Sequence, residues 1–368
     1  MLQTRLAHLS TSIRTANLDA LALNPGSSLV YLTGLHFHLM ERPTVAFFTA
    51  DAAPALVLPE LEMQKVKDLP FEVTTFPYGE DPATWDQVFL EAGRSLKLQG
   101  KRIGIEPLHM RILEFQKVKV VAGAVECPDA TQVVGRLRVC KEADELASMR
   151  AAVKVAQAAL EATIPSIKVG VTEKEIAAEL VVNLLRLGSQ SDMPFDPIVS
   201  SGPNSANPHS VPSDRKLRSG DLLVVDWGAA VDGYISDLTR TFAVGKVDEE
   251  YRKIHQVVLE ANAAGRATVQ PGIPCGQVDG AARAVIEKAG YGQYFTHRTG
   301  HGIGMEAHED PYIRSGNMQL LEPGMTFTIE PGIYLPGRNG VRIEDNMVIT
   351  RNGAECLSDM TRDLRELG

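Results

Sequence analysis

Nowhere in the 368 residues is there an apolar run of the roughly 18 residues that a membrane-spanning helix needs. The opening, MLQTRLAHLSTSIRTANLDALAL, has the spacing of an amphipathic helix and lacks the build of a secretory signal, so the cytoplasm is expected and no membrane partner is. Cysteine is scarce. Cys127, Cys140, Cys275 and Cys356 lie far apart without CxxC spacing, which excludes a cysteine zinc site and a disulfide framework and leaves buried free thiols. Positive charge is also in deficit, 37 Lys and Arg against 46 Asp and Glu, for a net charge of -9. Bulk electrostatics therefore exclude nucleic acid as a partner. The remainder, 44% hydrophobic and 23% charged, is ordinary globular usage and long enough for two domains with cores of their own.

A change of pattern near residue 135 divides the chain into 1–135 and 136–368. Before it, LDALAL, SLVYLTGL, TVAFFTA, PALVLP and KRIGIE read as strands, and 84–98 and 108–118 have helical spacing, together an α/β domain. After it, KEADELASMRAAVKVAQAALEAT predicts a long helix with Leu146, Met149, Val153, Ala156 and Leu160 on one stripe. Thr172 and Glu175 form a capping box that opens the next helix. Helix pairs and hairpins then alternate to the end, an α+β pattern without any residue-level repeat.

The chemistry is concentrated in that second part. In LLVVDWGAAVDGYISDLTRTF two strand-like runs flank a break at Asp232-Gly233, and pairing them puts Asp226 and Asp237 on one face, opposite or diagonal. Like charges so placed destabilise a sheet, and a carboxylate in an apolar strand is costly unless paired or metal-bound. MTFTIEPGIY and GVRIEDNMVIT repeat the arrangement with Glu330 and Glu344 across a Pro/Gly loop, Leu335 to Gly340. His301, in THRTGHGIGMEAH, has glycines on both sides that permit a tight backbone and a close ligand. Four carboxylates and a neutral imidazole balance two divalent cations, with a bridging water or hydroxide to complete them; without cations several pKa values would be forced up.

These motifs, DWG, then SDLTRT with its Asp eleven residues on (237 − 226), TGHGIG, TIEPG and VRIED, resemble the metallopeptidases of the pita-bread fold over about residues 140–360. That family includes methionine aminopeptidase, Xaa-Pro aminopeptidase and prolidase. The resemblance implies a pita-bread catalytic domain in which Asp226, Asp237, His301, Glu330 and Glu344 ligate two metals. Oxygen-rich ligation favours Mn²⁺, with Co²⁺, Zn²⁺ or Fe²⁺ as alternatives. It further implies an acidified water as nucleophile, with Glu330 as general base and proton donor to the leaving nitrogen. His308, seven residues past His301 (308 − 301), aligns with the family's histidine for the tetrahedral intermediate, and His209, in the irregular loop SGPNSANPHSVP, with one that faces the substrate. His297 stands where proline-specific members carry another histidine, and Arg342, two residues before Glu344, would orient carboxylates. His8, His109 and His255 lie on predicted helices outside any motif.

A domain such as 1–135, generally lacking from methionine aminopeptidases, points to the proline-specific branch and implies a homodimer and a small peptide substrate with proline second. NPGSSLVYLTG resembles the segment before a prolidase loop that enters the neighbouring subunit's site. His38 and Arg42, in LHFHLMERP, are candidates there for a C-terminal carboxylate. Four residues after His308, where some prolidases bind that carboxylate with arginine, stands Tyr312, with Arg314 two residues out of register. Prolidase and Xaa-Pro aminopeptidase both stay open. Metal-free binding modules and creatinase share the fold, but retention of all five ligands argues against both.

Overall fold

The computed structural model describes residues 2–123 and 126–368 and divides into two compact units, Met1–Arg138 and Val139–Gly368. In the first, a sheet runs in the order Thr74–Tyr78, Ala55–Pro59, Val45–Thr49, Ala20–Leu23, Ile103–Gly104. Its apolar residues, among them Phe47, Val57 and Ile103, pack with Phe89 and Val118 of helices Pro82–Ser95 and Ile112–Ala122. Asp81 caps the first of these helices by accepting from the Ala83 amide at 3.0 Å, and Pro82 supplies the preset first turn.

One expected strand is a helix. SLVYLTGL forms helix Ser27–Thr33, closed by Gly34 at φ 74°, a left-handed conformation that glycine adopts without strain. Leu29, Tyr31 and Leu32 are all buried, and Arg5 stacks on the Tyr31 ring at 4.0 Å; burial on several sides overrides the strand preference of this short run. His109 is in a turn and not on a helix, because helix Ile112–Ala122 begins three residues later (112 − 109). All four thiols are free, but only Cys275 is buried; Cys127, Cys140 and Cys356 are half-buried.

The second unit opens with helix Ala143–Thr163, whose Met149, Val153, Ala156 and Leu160 are buried while Leu146 is only half-buried. The Thr172/Glu175 capping box opens helix Glu173–Arg186, and the helix pair covers a sheet ordered Glu366–Leu367, Leu238–Val244, Leu222–Trp227, Ile198–Ser201. The Trp227 indole donates to the Ala156 carbonyl at 2.8 Å and so pins the strand carrying Asp226 to the helix. A second helix pair, Glu249–Thr268 and Cys275–Lys288, precedes a sheet ordered Glu309–Ile313, Gly300–Gly302, Thr326–Ile329, Asp345–Thr350, Gly353–Cys356. The two sheets join where Glu344 N donates to Thr239 O at 3.1 Å.

Candidate metal centre

That junction is where the acids meet. Trp227 pairs with Leu238 and Asp226 with Thr239, so Asp237 falls diagonal to Asp226 on the same sheet face. In the other half Ile329 pairs with Asp345 and Gly332 with Arg342, a common register that sets Glu330 opposite Glu344. His301 comes from the Gly300–Gly302 strand. A Cβ on Gly300 would lie 1.9 Å from the Thr328 carbonyl oxygen and one on Gly302 2.1 Å from that of Asp310, so the imidazole enters on a backbone only glycine allows.

The donor atoms converge. Ligand atoms of Asp237, His301 and Glu344 lie within 4.8 Å of one another, and His301 Nε2 is 3.3 Å from Glu330 Oε1 and 3.7 Å from Asp237 Oδ2. His301 Nδ1 lies 3.1 Å from the Gly302 carbonyl, which only accepts; the proton is therefore on Nδ1, and the Nε2 lone pair faces the carboxylates. Burial, reinforced by His308, holds His301 well below the usual histidine range, so the ring is neutral.

Each of two acids has one oxygen held by the protein and one bare. Asp226 Oδ2 accepts from Arg342 Nη2 at 2.5 Å and Glu344 Oε2 from Thr239 Oγ1 at 2.7 Å, whereas Asp226 Oδ1 and Glu344 Oε1 are buried without a hydrogen bond. A bare buried carboxylate oxygen is expensive unless a cation meets it. The pKa values say the same. Burial pushes Glu330 up to about 8, Asp226 adding repulsion that Arg342 partly offsets. Burial and then repulsion from Glu344, Asp226 and Glu330 raise Asp237, and burial with Glu330 and Asp226 raises Glu344. The donor set, four carboxylates and one imidazole nitrogen, fits hard divalent cations.

The side chain next to Glu344 faces away from this cluster. Asp345 is fully buried and bound by Arg240 at 3.0 Å, Arg362 at 2.6 Å and Ser358 at 2.8 Å, with Arg266 at 3.6 Å. Burial pushes its carboxyl up, but Arg240 and Arg362 outweigh this and leave it below the usual carboxylate range.

All five expected ligands line one cavity of about 700 Å³, together with His209, His297, His308 and Arg342. The description of metallopeptidase family M24 matches residues 147–351, the segment that contains every one of these side chains and more than half of the chain. The chain belongs to metallopeptidase family M24. Residues 5–140 match the creatinase/prolidase N-terminal domain. A probable dipeptidase PepE from Mycobacterium bovis is 39% identical over 367 residues, 98% of this chain and 95% of that protein. Among solved structures, a prolidase from Thermococcus sibiricus superposes with TM-score 0.94 at 34% identity, covering 100% of this chain and 99% of that one. An Xaa-Pro dipeptidase from Bacillus anthracis gives 0.90 at 30%, covering 100% of each. The fold is the α+β pita-bread fold with a creatinase-type N-terminal domain, and M24 enzymes use divalent metals.

Around its acid cluster the M24 peptidase places the other expected residues unequally. His308 packs edge-on against His301 with centroids 4.1 Å apart, and burial, Arg298 and His209 lower its pKa. His209 is exposed at the cavity, and the preceding Pro208 carbonyl accepts from Arg342 at 3.4 Å. His297 has both ring nitrogens engaged: Nδ1 with the Arg298 carbonyl at 2.7 Å and Nε2 with the Tyr334 hydroxyl at 2.9 Å, which also accepts from Arg342 at 2.9 Å. Burial, then Arg342, pushes its pKa down to about 4. The cavity-lining residues all belong to the second unit, so His38 and Arg42 are not among them. His38 is exposed, and Arg42 is engaged by Glu80 at 2.7 Å and by Glu41 at 2.5 Å. Arg314 is exposed, and Tyr312 carries the guanidinium of Arg298 on its ring at 4.5 Å.

Sequence reading missed Thr239, Asn262, Tyr334 and Arg298. Thr239 was within reach, two residues past Asp237 (239 − 237) and so on the same strand face. Buried Asn262, on helix Glu249–Thr268, donates to the carbonyls of Ile329 at 3.1 Å and Ile343 at 3.3 Å, each just before a glutamate of the cluster. No local motif announces that contact.

Proposed function

We propose that this M24 peptidase hydrolyses the Xaa-Pro bond of dipeptides, using two divalent cations, Mn²⁺ first among them, held by Asp226, Asp237, His301, Glu330 and Glu344. The observation that carries the reading is the pair of bare, buried oxygens, Asp226 Oδ1 and Glu344 Oε1, in a cavity sized for a small molecule. Cations held there supply Lewis acidity, which acidifies a water and polarises a carbonyl. Glu330 takes the proton of the attacking water and returns it to the leaving nitrogen; its backbone amide is anchored on the Thr299 carbonyl at 2.7 Å. His308 and His209 donate to the developing oxyanion. Arg342 fixes Asp226 and, through Tyr334, the His297 ring, whose occupied nitrogens leave its carbon edge for substrate packing. Phe195, Ile198 and Ala307 add an apolar wall suited to a pyrrolidine ring.

In this reading residues 1–135 serve dimerisation and substrate access, the enzyme is a cytoplasmic homodimer, and His38 and Arg42 reach a neighbouring subunit's site. The relatives named as dipeptidase and prolidase support the dipeptide choice. Arg42, already paired with Glu80, supports the second reading, an Xaa-Pro aminopeptidase for longer peptides. Comparing Ala-Pro with Ala-Pro-Ala on Mn²⁺-loaded protein decides between them: a preference for the dipeptide is expected, and the reverse establishes the aminopeptidase. Protein that takes up no divalent cation, or cleaves neither peptide with Mn²⁺ or Co²⁺ supplied, overturns both.

A further inference from the structure

Two guanidinium groups line the cavity, and they differ in one respect. Arg342 is buried and engaged through all three nitrogens: it donates to Asp226, Thr239, Tyr334 and the Pro208 carbonyl. Arg298 is half-buried and makes no side-chain hydrogen bond or ion pair with any described residue. Among the described residues the guanidinium rests on the face of Tyr312, 4.5 Å from its carbon to the ring centroid. A stacked guanidinium is held by its face while its N–H groups, which lie in its plane, stay available. Arg342 is paired to Asp226, whereas Arg298 is a cavity cation without an ion-pair partner among the described residues. Asp196, the cavity acid outside the cluster, forms no ion pair with it among the described residues. A charge kept unmatched beside a binding cavity suits an anionic group arriving with the ligand.

We infer that Arg298, held on the ring of Tyr312, is the receptor for the free C-terminal carboxylate of the substrate and selects peptides that end one residue after the scissile bond. The inference rests on the Xaa-Pro reading above. In a dipeptide with a neutral first side chain, such as Ala-Pro, the only anionic group is the carboxylate on the proline, and guanidinium binds carboxylate in two parallel hydrogen bonds. The position also fits: Arg298 is three residues before His301 (301 − 298) and lines the same cavity as the acid cluster.

The test uses the full-length, Mn²⁺-loaded protein with Ala-Pro and Ala-Pro-amide, the latter lacking only the anion. In the wild type kcat/KM favours the free acid; in Arg298→Ala the acid-to-amide ratio falls by about 10- to 100-fold, the worth of a charge-assisted pair, chiefly through KM. Arg298→Lys retains part of the preference. Calorimetric binding supplies a second readout: L-proline loses affinity in Arg298→Ala by a similar factor relative to prolinamide. Metal content and melting temperature of the variants check that the cluster and fold persist. An unchanged ratio, or an equal fall for acid and amide, overturns the inference while leaving the Xaa-Pro reading intact. A wild type that cleaves neither compound overturns both.

Discussion

Removing the divalent cations should turn the acid cluster into a pH-dependent weakness of the fold. Glu330 sits at about 8 against an ordinary 4.5, and Asp237 and Glu344 are raised in the same direction. A carboxyl with a raised folded pKa contributes stability fully below its unfolded pKa and loses that contribution as pH climbs through the folded value. Three histidines work the other way: His255 and His297 lie at about 4 and His301 well below its ordinary 6.5. At pH 6.5 an unfolded histidine is still half protonated, so between pH 6.5 and 8 each of the three returns roughly 0.4 kcal/mol and together they offset part of what the acids lose. One pKa unit is worth about 1.4 kcal/mol, so titrating Glu330 from pH 6.5 to 8 costs about 2 kcal/mol, with Asp237 and Glu344 adding to it. For a unit of this size that is a fall of roughly 4–8 °C in melting temperature. Thermal melts at pH 6.5, 7.2 and 8, with chelator and with saturating Mn²⁺, measure it directly. The loaded protein should change little, because cations in place of protons remove the titration. A chelated protein equally stable at all three values, or a loaded one with the same slope, refutes the reasoning.

Asp237→Ala should abolish peptide hydrolysis with the fold largely kept; circular dichroism and a peptidase assay check this, and full residual activity removes Asp237 from the ligand set. Asn262→Leu strands the Ile329 and Ile343 carbonyls and should cost about 2 kcal/mol, with weaker cation uptake by titration calorimetry. An unaltered urea midpoint and metal affinity would show that the amide positions nothing. Gly302→Ala drives a methyl onto the Asp310 carbonyl and should lose cation binding even where expression survives; a variant with wild-type metal content contradicts the close-approach argument.

The convergence of the acids was legible because each sits in a short, self-declaring context: an apolar strand, a glycine turn or a hairpin. Pairing such runs needs only local rules, as the diagonal placement of Asp226 and Asp237 shows. The Thr172/Glu175 capping box is equally local. What escaped was set by distant packing. SLVYLTGL has strand-like residues but is buried as a helix ended by Gly34. Asn262 reaches the ligand strands from a helix more than sixty residues upstream of Ile329 (329 − 262 = 67). Arg298 acquires meaning only when Tyr312 lies beneath it and no ion pair among the described residues engages it.

The motif VRIED carries an acid at two consecutive positions, and a strand that slips by one residue turns every side chain to the other face. Such a slip would present a carboxylate to the cluster even so, Asp345 in place of Glu344, one methylene shorter. The grip of Arg240, Arg362 and Arg266 on Asp345 makes that mistake expensive, since it would bury their charges without a partner. Those arginines, which are not among the cavity-lining residues, act as a proofreading device for the strand, determining which of two neighbouring acids joins the cluster.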